Sequence, residues 1–486
     1  DMKVDNVNLY KLGMISAPLK NNFAFAFNGG IEKDSVAGHL TAGDFKMDFN
    51  SREGLTPLMS HLTRVSKLLM HQIKIRKIDH AALRRALPTA TVYCKSGMNN
   101  PIMDYLALEG IKYKDLDAVI KMSPAEGLNC DARLYGLKKD STQIDTISLI
   151  AVQDTSHIEI HGKVVNGKTN PTATFTVALN GEINSSDGNI TAEYLDKTGD
   201  TGLRLGMHFA PDEKRGGILL NLIPENPIIA FRKFHFQNDN NEVALLPNGR
   251  VFANIDLVDE KGMGFKVHSN DNDSTSLQNI EISATQVNLD EVARLLPYSP
   301  PFSGMLSLDA NYIQSTKKTM SLSVEGNIDN LSYAHKEIGN ITLGATWLPG
   351  EHGKQYVDGY VAHEGNKVLL ADGTLNPSGG GKDTLSVNAS FDHFPLKLAN
   401  VFVPNQMVSF EGDIDGDMHL KGSTSKPIIN GTMKMDSVVM TYNQARTHFR
   451  FDDRPLQIVN NRIQFDKYAI YTTGDTPFTI DGDVNF

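Results

Sequence analysis

Apolar and polar residues alternate with period two along most of this chain, and from Thr174 onward that alternation is the dominant signal. Met320, Leu322, Val324 and Ile328 alternate with Ser321, Ser323, Glu325 and Asn327. Ile341, Leu343, Ala345 and Trp347 alternate with Thr342, Gly344 and Thr346. The final run sets Phe478, Ile480, Val484 and Phe486 against Thr479, Asp481, Asp483 and Asn485. Successive side chains of a strand point to opposite faces, so these runs give a sheet one greasy face and one wet face. Asn-Gly pairs accept the positive φ of tight turns, so Asn28-Gly29, Asn166-Gly167, Asn180-Gly181 and Asn430-Gly431 predict hairpins, as does the loop Pro377 to Lys382. The expectation is a long antiparallel meander. A sandwich, a closed barrel and an open gutter all satisfy this periodicity; the meander is long for one sandwich or barrel, which favours several domains or one elongated sheet growing at its edge.

Helical spacing is local. Leu55, Leu58, Met59, Leu62, Val65, Leu69 and Ile73 follow it, with Thr56 as the expected cap, Pro57 in the first turn, and Arg64, Lys67 and His71 opposite. This segment, Thr56 to Ile73, either caps a sheet assembly or touches a membrane surface. Asn100-Pro101 opens a second helix through Ile102, Met103, Leu106 and Leu108, which Gly110 closes. One phrase also recurs: a short helix-like run, a proline, then a glycine that opens a strand. Its copies are Ile78 to Gly97, Asn288 to Gly304 and Pro395 to Gly412. Such self-similarity marks a repeating architecture.

Composition narrows the function. The net charge is −10, and nucleic-acid affinity rests on Lys and Arg releasing counterions, so no nucleic-acid partner is expected. No apolar run approaches the ~20 residues needed to cross a bilayer. The chain opens on Asp1 with no signal-peptide pattern, and it is read as a piece of a longer protein whose targeting or anchoring segment lies outside this sequence. Cys94 and Cys130 are too few to diagnose a redox compartment, and the sequence leaves open whether they pair.

The candidate chemistry dissolves on inspection. Gly162 to Thr169 (GKVVNGKT) fits the phosphate-loop spacing, but the exit from it, Asn170-Pro171 and then Thr172, Thr174, Phe175, Thr176 and Val177, is strand text where a helix is required. His157, Glu159 and His161 share a strand face and could ligate zinc, yet a solvated outer face explains them. Asp413, Asp415 and Asp417 resemble the start of a calcium loop, but the glycine offset is wrong and Thr424 stands where the bidentate Glu belongs. Asn238 to Glu242 and Asn270 to Asp273 read as polar loops. There is no nucleophile elbow and no H-E-x-x-H. The chain is expected to be no enzyme, and to need neither cofactor nor metal.

With the alternation and repeats in hand, Glu411 to Phe486 closely resembles the C-terminal region of the translocation-and-assembly-module B (TamB) family, within the AsmA-like superfamily of Gram-negative bacteria. The matching series is Gly412 and Gly416, Gly422-Ser423, Pro427, Gly431, Asp452-Asp453, Asn460-Asn461 and Gly482. Leu222 to Asn238 and Gly326 to Leu348 are similar to the long variant of the family. The resemblance implies a mainly β chain: an elongated, twisted antiparallel sheet folded into an open half-pipe (a β-taco) with an apolar interior. Short helices would lie in the first quarter and at repeat boundaries. It implies strands over 1–50, a helix-containing insertion over 51–125, a meander over 126–287, and groove repeats over 288–394 and 395–486.

It also implies a periplasmic location, with an inner-membrane anchor before the chain and an Omp85-type outer-membrane barrel as partner beyond it. The expected role is to hold phospholipid or other acyl-chain lipid during lipid transport and outer-membrane biogenesis. The residues expected to line the groove are Leu306, Leu308, Met320, Leu322, Val324, Leu343, Met418, Leu420, Met433, Met435, Leu456, Ile458, Ile463, Phe465, Phe478 and Ile480. Two alternatives stand beside it. One is a chaperone-like platform whose sheet edge receives strands of outer-membrane barrels, and the other a β-helical polysaccharide-acting enzyme.

Overall fold

The computed structural model describes residues 1–486 apart from 9, 12–16, 20–22, 141, 171–172, 224–226, 238–240, 271–275, 317–318, 377–384, 404–406, 424–425, 473, 475 and 486. The loop Pro377 to Lys382, most of the two Asn/Asp-rich loops, Thr424 and Phe486 therefore lie outside the described residues. The protein is mainly β, and its strands pair antiparallel. Two compact units divide it: Asp1–His235 with Glu242–Gly249 and Arg294–Tyr298, and Phe236–Asn241 with Arg250–Ala293 and Ser299–Phe486.

In the first unit, strands from Met2–Val7 to Thr201–Pro211 pair mostly with their chain neighbours, and the helices fill the interruptions. Helix α1 is Leu55–Ile75 and α2 is His80–Ala86, where the Asp79 carboxylate accepts from the Ala82 N–H. Helix α3 is Pro101–Leu108, with the Asn100 side chain accepting from the Met103 N–H at 2.9 Å and Gly110 at φ +72° beyond its end. Both ends of α3 follow the sequence reading. The cap of helix α1 lies two residues earlier than expected, at Gly54 and with no side-chain hydrogen bond there, so Thr56 lies inside the helix. Gly54 is required because a Cβ on it would stand 2.2 Å from the Lys33 carbonyl oxygen.

The second unit continues the meander from Val251–Asp259 to Lys426–Tyr442. Lys426–Tyr442 then pairs with two short strands, Thr447–Phe451 and Leu456–Val459, and both of these pair with Arg462–Tyr471. Helix α4, Leu289–Ala293, and the 3₁₀ turn Leu396–Phe402 stand where the second and third copies of the repeated phrase predict helices, as α2 does for the first. The glycines of those phrases have a physical explanation. Gly304 (φ +140°) and Gly412 (φ +88°) sit where the pairing register slips, so each builds a β-bulge in the left-handed region. In the first copy the glycine differs: Gly97 follows its strand, Ala90–Ser96.

Three of the four Asn-Gly pairs are not turns. Asn28-Gly29, Asn180-Gly181 and Asn430-Gly431 lie inside the strands Phe23–Ile31, Phe175–Ile183 and Lys426–Tyr442, and only Asn166-Gly167 ends a strand. In the interior pairs the asparagine faces the polar side and the glycine the apolar side. Asn180, for example, is hydrogen-bonded to His161 across the ladder at 2.8 Å. At Gly431 a side chain would strike the Asp417 carbonyl oxygen at 2.1 Å, so the dipeptide answers a close strand approach.

Candidate functional site

Residues paired across an antiparallel ladder share a face, so the register shows where each apolar side chain lies. In the second unit one row runs Ile282, Ala310, Val324, Ala345, Gly359, Ala371, Ala389, Met418, Gly431, Ile458, Ile463 and Val484, each paired with the next. A parallel row runs Leu308, Gly326, Leu343, Val361, Leu369, Phe391, Gly416, Met433 and Leu456. A third joins Tyr312, Leu322, Trp347, Val357, Gly373, Val387, Leu420 and Ile429. These rows hold only apolar residues and glycine. Leu306 and Met320 extend the face, as do Met435, Phe465, Ile480 and Phe478. All the residues expected to line a groove thus lie on one face.

That face has two characters. From Met305 to Leu420 the expected residues are half-buried, and full burial is found at Ile338, Ile341, Val368 and Ile414, toward the strand ends nearest the 3₁₀ turn. Beyond Lys426 the side chains close over one another. Leu456 and Ile458 are each 2 % exposed, and Leu456 clusters with Tyr468 and Ile470. Met433, Met435, Ile463, Phe465 and Ile480 pack against this cluster, while Phe478 is 47 % exposed at the margin.

The first unit carries a matching face that the sequence reading did not assign. Phe27, Leu40, Met47, Cys94, Ala118, Ala132, Leu149, Gly162, Leu179, Ala192 and Leu205 form one paired row. Phe49, Val92, Ile120, Cys130, Ala151, Ile160, Gly181, Ile190, Met207 and Leu222 form the next. Phe27, Leu149 and Leu179 remain 40–43 % exposed. Alternation was legible there too. What the sequence lacked was the register that turns separate strands into a continuous row.

Both cysteines lie on this face, free, with the strand Asp115–Ser123 between theirs. Two strand spacings and a two-residue offset along the strands put their Cα atoms about 12 Å apart, beyond the ~7 Å a disulfide spans. Burial pushes the Cys94 thiol pKa up, so it is a poor nucleophile. Trp347, the one tryptophan of the chain, lies on the apolar face of the second unit, and its buried Nε1 has no hydrogen-bond partner among the described residues.

The opposite face is largely polar. His157, Glu159 and His161 lie on it as a short polar run, with ring nitrogens of His157 and His161 3.3 Å and 3.6 Å from the Glu159 carboxylate. Tyr356 and Leu370 are exposed apolar exceptions. The phosphate-loop look-alike is filled from within. The N–H groups of Gly167, Lys168 and Thr169 donate to the Asp145 carboxylate. Burial pushes the Asp145 pKa up, but the Thr169 hydroxyl and these N–H donors outweigh it and hold the carboxyl below its usual range. The loop has its anion already.

Asp413, Asp415 and Asp417 line the polar side of Val408–Ser423, with Ile414 buried on the other. Asp415 accepts from the His393 N–H at 2.7 Å and, with Asp392 and the His393 ring, places possible ligand atoms within 4.8 Å of one another. The hydrogen bond to Asp392 and the charge of Asp415 raise the His393 pKa, so this exposed trio satisfies itself as an ion-paired cluster. A cleft of 490 Å³ between Tyr333, Ile338, Lys397, Asn400 and Phe410 is lined by mixed polar and apolar groups, Glu337, Ser409 and Glu411 among them. Compared with known proteins, the chain matches no family model, no curated protein and no solved structure.

Proposed function

We propose that the apolar face of each unit holds lipid acyl chains, and that the chain acts without catalysis as part of a periplasmic lipid-handling bridge. The carrying observation is the continuity of the rows. Apolar side chains and glycines follow one another from strand to strand in register, half-exposed over most of their length. Burying hydrocarbon yields ~0.8 kcal/mol per methylene, so a tail of about sixteen carbons gains on the order of 10 kcal/mol before immobilisation costs. A face with no polar anchor in its rows gives this without fixing the tail in one place, which suits passage rather than storage. The resemblance to the TamB family supports an inner-membrane anchor, an Omp85-type barrel partner and a role in outer-membrane biogenesis.

Trp347 provides the test. The delipidated chain is titrated with fatty acid or phospholipid bearing brominated acyl chains, which quench an indole only on contact. Saturable quenching, relieved by unlabelled lipid, is expected. Undiminished Trp347 emission would overturn the reading for the second unit. In the first unit, Cys94 and Cys130 serve likewise: lipid should slow their alkylation, and equal rates with and without lipid would remove that unit from the proposal.

A further inference from the structure

Helix α1 is the least covered apolar element of the first unit. At 100° per residue, Leu55, Met59, Leu62, Leu69, Met70 and Ile73 fall within an arc of about 100°. All six are 40–71 % exposed, with Met70 and Ile73 at 71 %. The helix rests on a different side, where Leu58 and Gln72 are buried and α2 packs. Burying its apolar arc against its own protein is therefore not what keeps this helix amphipathic.

Charge identifies what covers the arc. From Gly54 to Ile78 the sequence has Arg64, Lys67, Lys74, Arg76 and Lys77 and no Asp or Glu, in a chain whose net charge is −10. Lys74 and Lys67 follow the apolar arc on the side away from the buried residues, about 40° and 60° beyond its edge, and Arg64 stands at the back of the helix. Arg76 instead donates to the Gly216 and Gly217 carbonyl oxygens, tying down the end of the helix. Among the described residues, no helix is long and apolar enough to cross a membrane. A helix about 30 Å long with bulky aliphatic side chains along one arc and cations along its border has the form of one lying in a membrane interface. A second copy packed through this same helix would bring the same cations against each other, and so does not fit.

We infer that α1 is an interfacial helix that docks the first unit on an anionic phospholipid bilayer, its apolar arc inserted and its basic border on the lipid phosphates. This arc is distinct from the paired rows of the sheet, although its last residue, Ile73, also lines a cavity with Ile183, Phe209 and Ile218. It would hold the unit at a bilayer, independently of the acyl-chain reading.

The experiment is flotation of the full chain with phosphatidylcholine vesicles, with and without phosphatidylglycerol. The chain is expected to float with the anionic vesicles and to release as salt rises. Met70→Glu with Ile73→Glu should lower the bound fraction at least ten-fold. Lys67→Gln and Lys74→Gln should lower it about five-fold each. All four positions point outward, so melting temperature should hold, and the charge variants keep the test alive if the apolar pair misfolds. Quenching of Trp347 by brominated fatty acid should persist in every variant, which separates failure of this docking from failure of the acyl-chain face. Equal flotation of variants and parent, equal binding to neutral vesicles, or self-association that Ile73→Glu abolishes without any vesicle binding would each overturn the inference.

Discussion

Two stretches of the second unit share one alternation and one face, yet they end differently. From Ser276 to Ser423 the apolar rows stay half-exposed, whereas from Lys426 to Asn485 they close into a core around Leu456, Tyr468 and Ile470. The side chains explain the difference. The first stretch fills its central row with Val324, Ala345, Gly359, Ala371 and Ala389, which are too small to bridge the face. The second brings Phe449, Phe451, Phe465 and Tyr468 together, and a register slip between Phe465 and Tyr468 re-aims the strand. Its ladder also divides, so one long strand faces two short ones. Period two decides which face is greasy; side-chain volume and strand pairing decide whether that face is covered.

The largest expected effect sets the two stretches directly against each other. Leu456→Ala should cost ~2–5 kcal/mol, because it empties a closed site. Leu456→Glu should prevent folding of that end, since it buries a lone charge. Val324→Glu and Leu420→Lys, on the half-exposed rows, should leave a soluble fold within ~1 kcal/mol of the parent while sharply reducing co-purified lipid. Urea melts of the variants, with mass spectrometry of extracted lipid, decide the matter. Aggregation of Val324→Glu and Leu420→Lys to the same degree as Leu456→Glu would erase the distinction.

An intermediate effect tests why the open stretch is built from small residues. A Cβ on Gly373 would lie 2.3 Å from the Ser386 carbonyl oxygen and 2.6 Å from the Val387 Cα, both backbone atoms of the paired strand. Gly373→Ala should therefore spread those two strands and cost ~1–3 kcal/mol. Gly326→Ala, whose nearest contacts are 3.2–3.3 Å and include the flexible Leu308 side chain, should cost less. Equal costs would mean that close strand approach does not shape this face.

Much of this was legible from residues alone. Alternation gave the strands and the common face, and the repeated phrase marked α2, α4 and the 3₁₀ turn, because proline and short helices punctuate a meander strongly. The misreadings share a cause. Asn-Gly in Asn28-Gly29, Asn180-Gly181 and Asn430-Gly431 carries the local preference of a turn, but each pair is held mid-strand by ladder pairing that local sequence does not display, and at Gly431 the facing Asp417 backbone leaves no room for a side chain. Thr56 looked like a cap only because the crowding of Gly54 against Lys33 is non-local. The face of the first unit and the closure around Leu456 likewise depend on which residues are paired, a matter of register.

The smallest effect probes the closure itself. Tyr468 is 1 % exposed, and its hydroxyl donates to the Asp452 carbonyl oxygen. Burial, reinforced by the Asp452 charge against the opposing Arg454, pushes its pKa up to about 12. The unfolded phenol ionises near ~10, so the folded state holds its proton more tightly. Its contribution is complete below about pH 10 and is lost as pH rises toward about 12. At neutral pH, Tyr468→Phe should cost only ~0.5–1.5 kcal/mol, the hydrogen bond alone. In alkali it should melt with a flatter pH dependence than the parent. Because the chain has 14 tyrosines, the phenolate absorbance of parent minus variant isolates this one. A difference titrating near pH 12 is the mark of a closed cluster. A difference titrating near 10 would place Tyr468 in water, and the two stretches would then be one open face with no boundary between them.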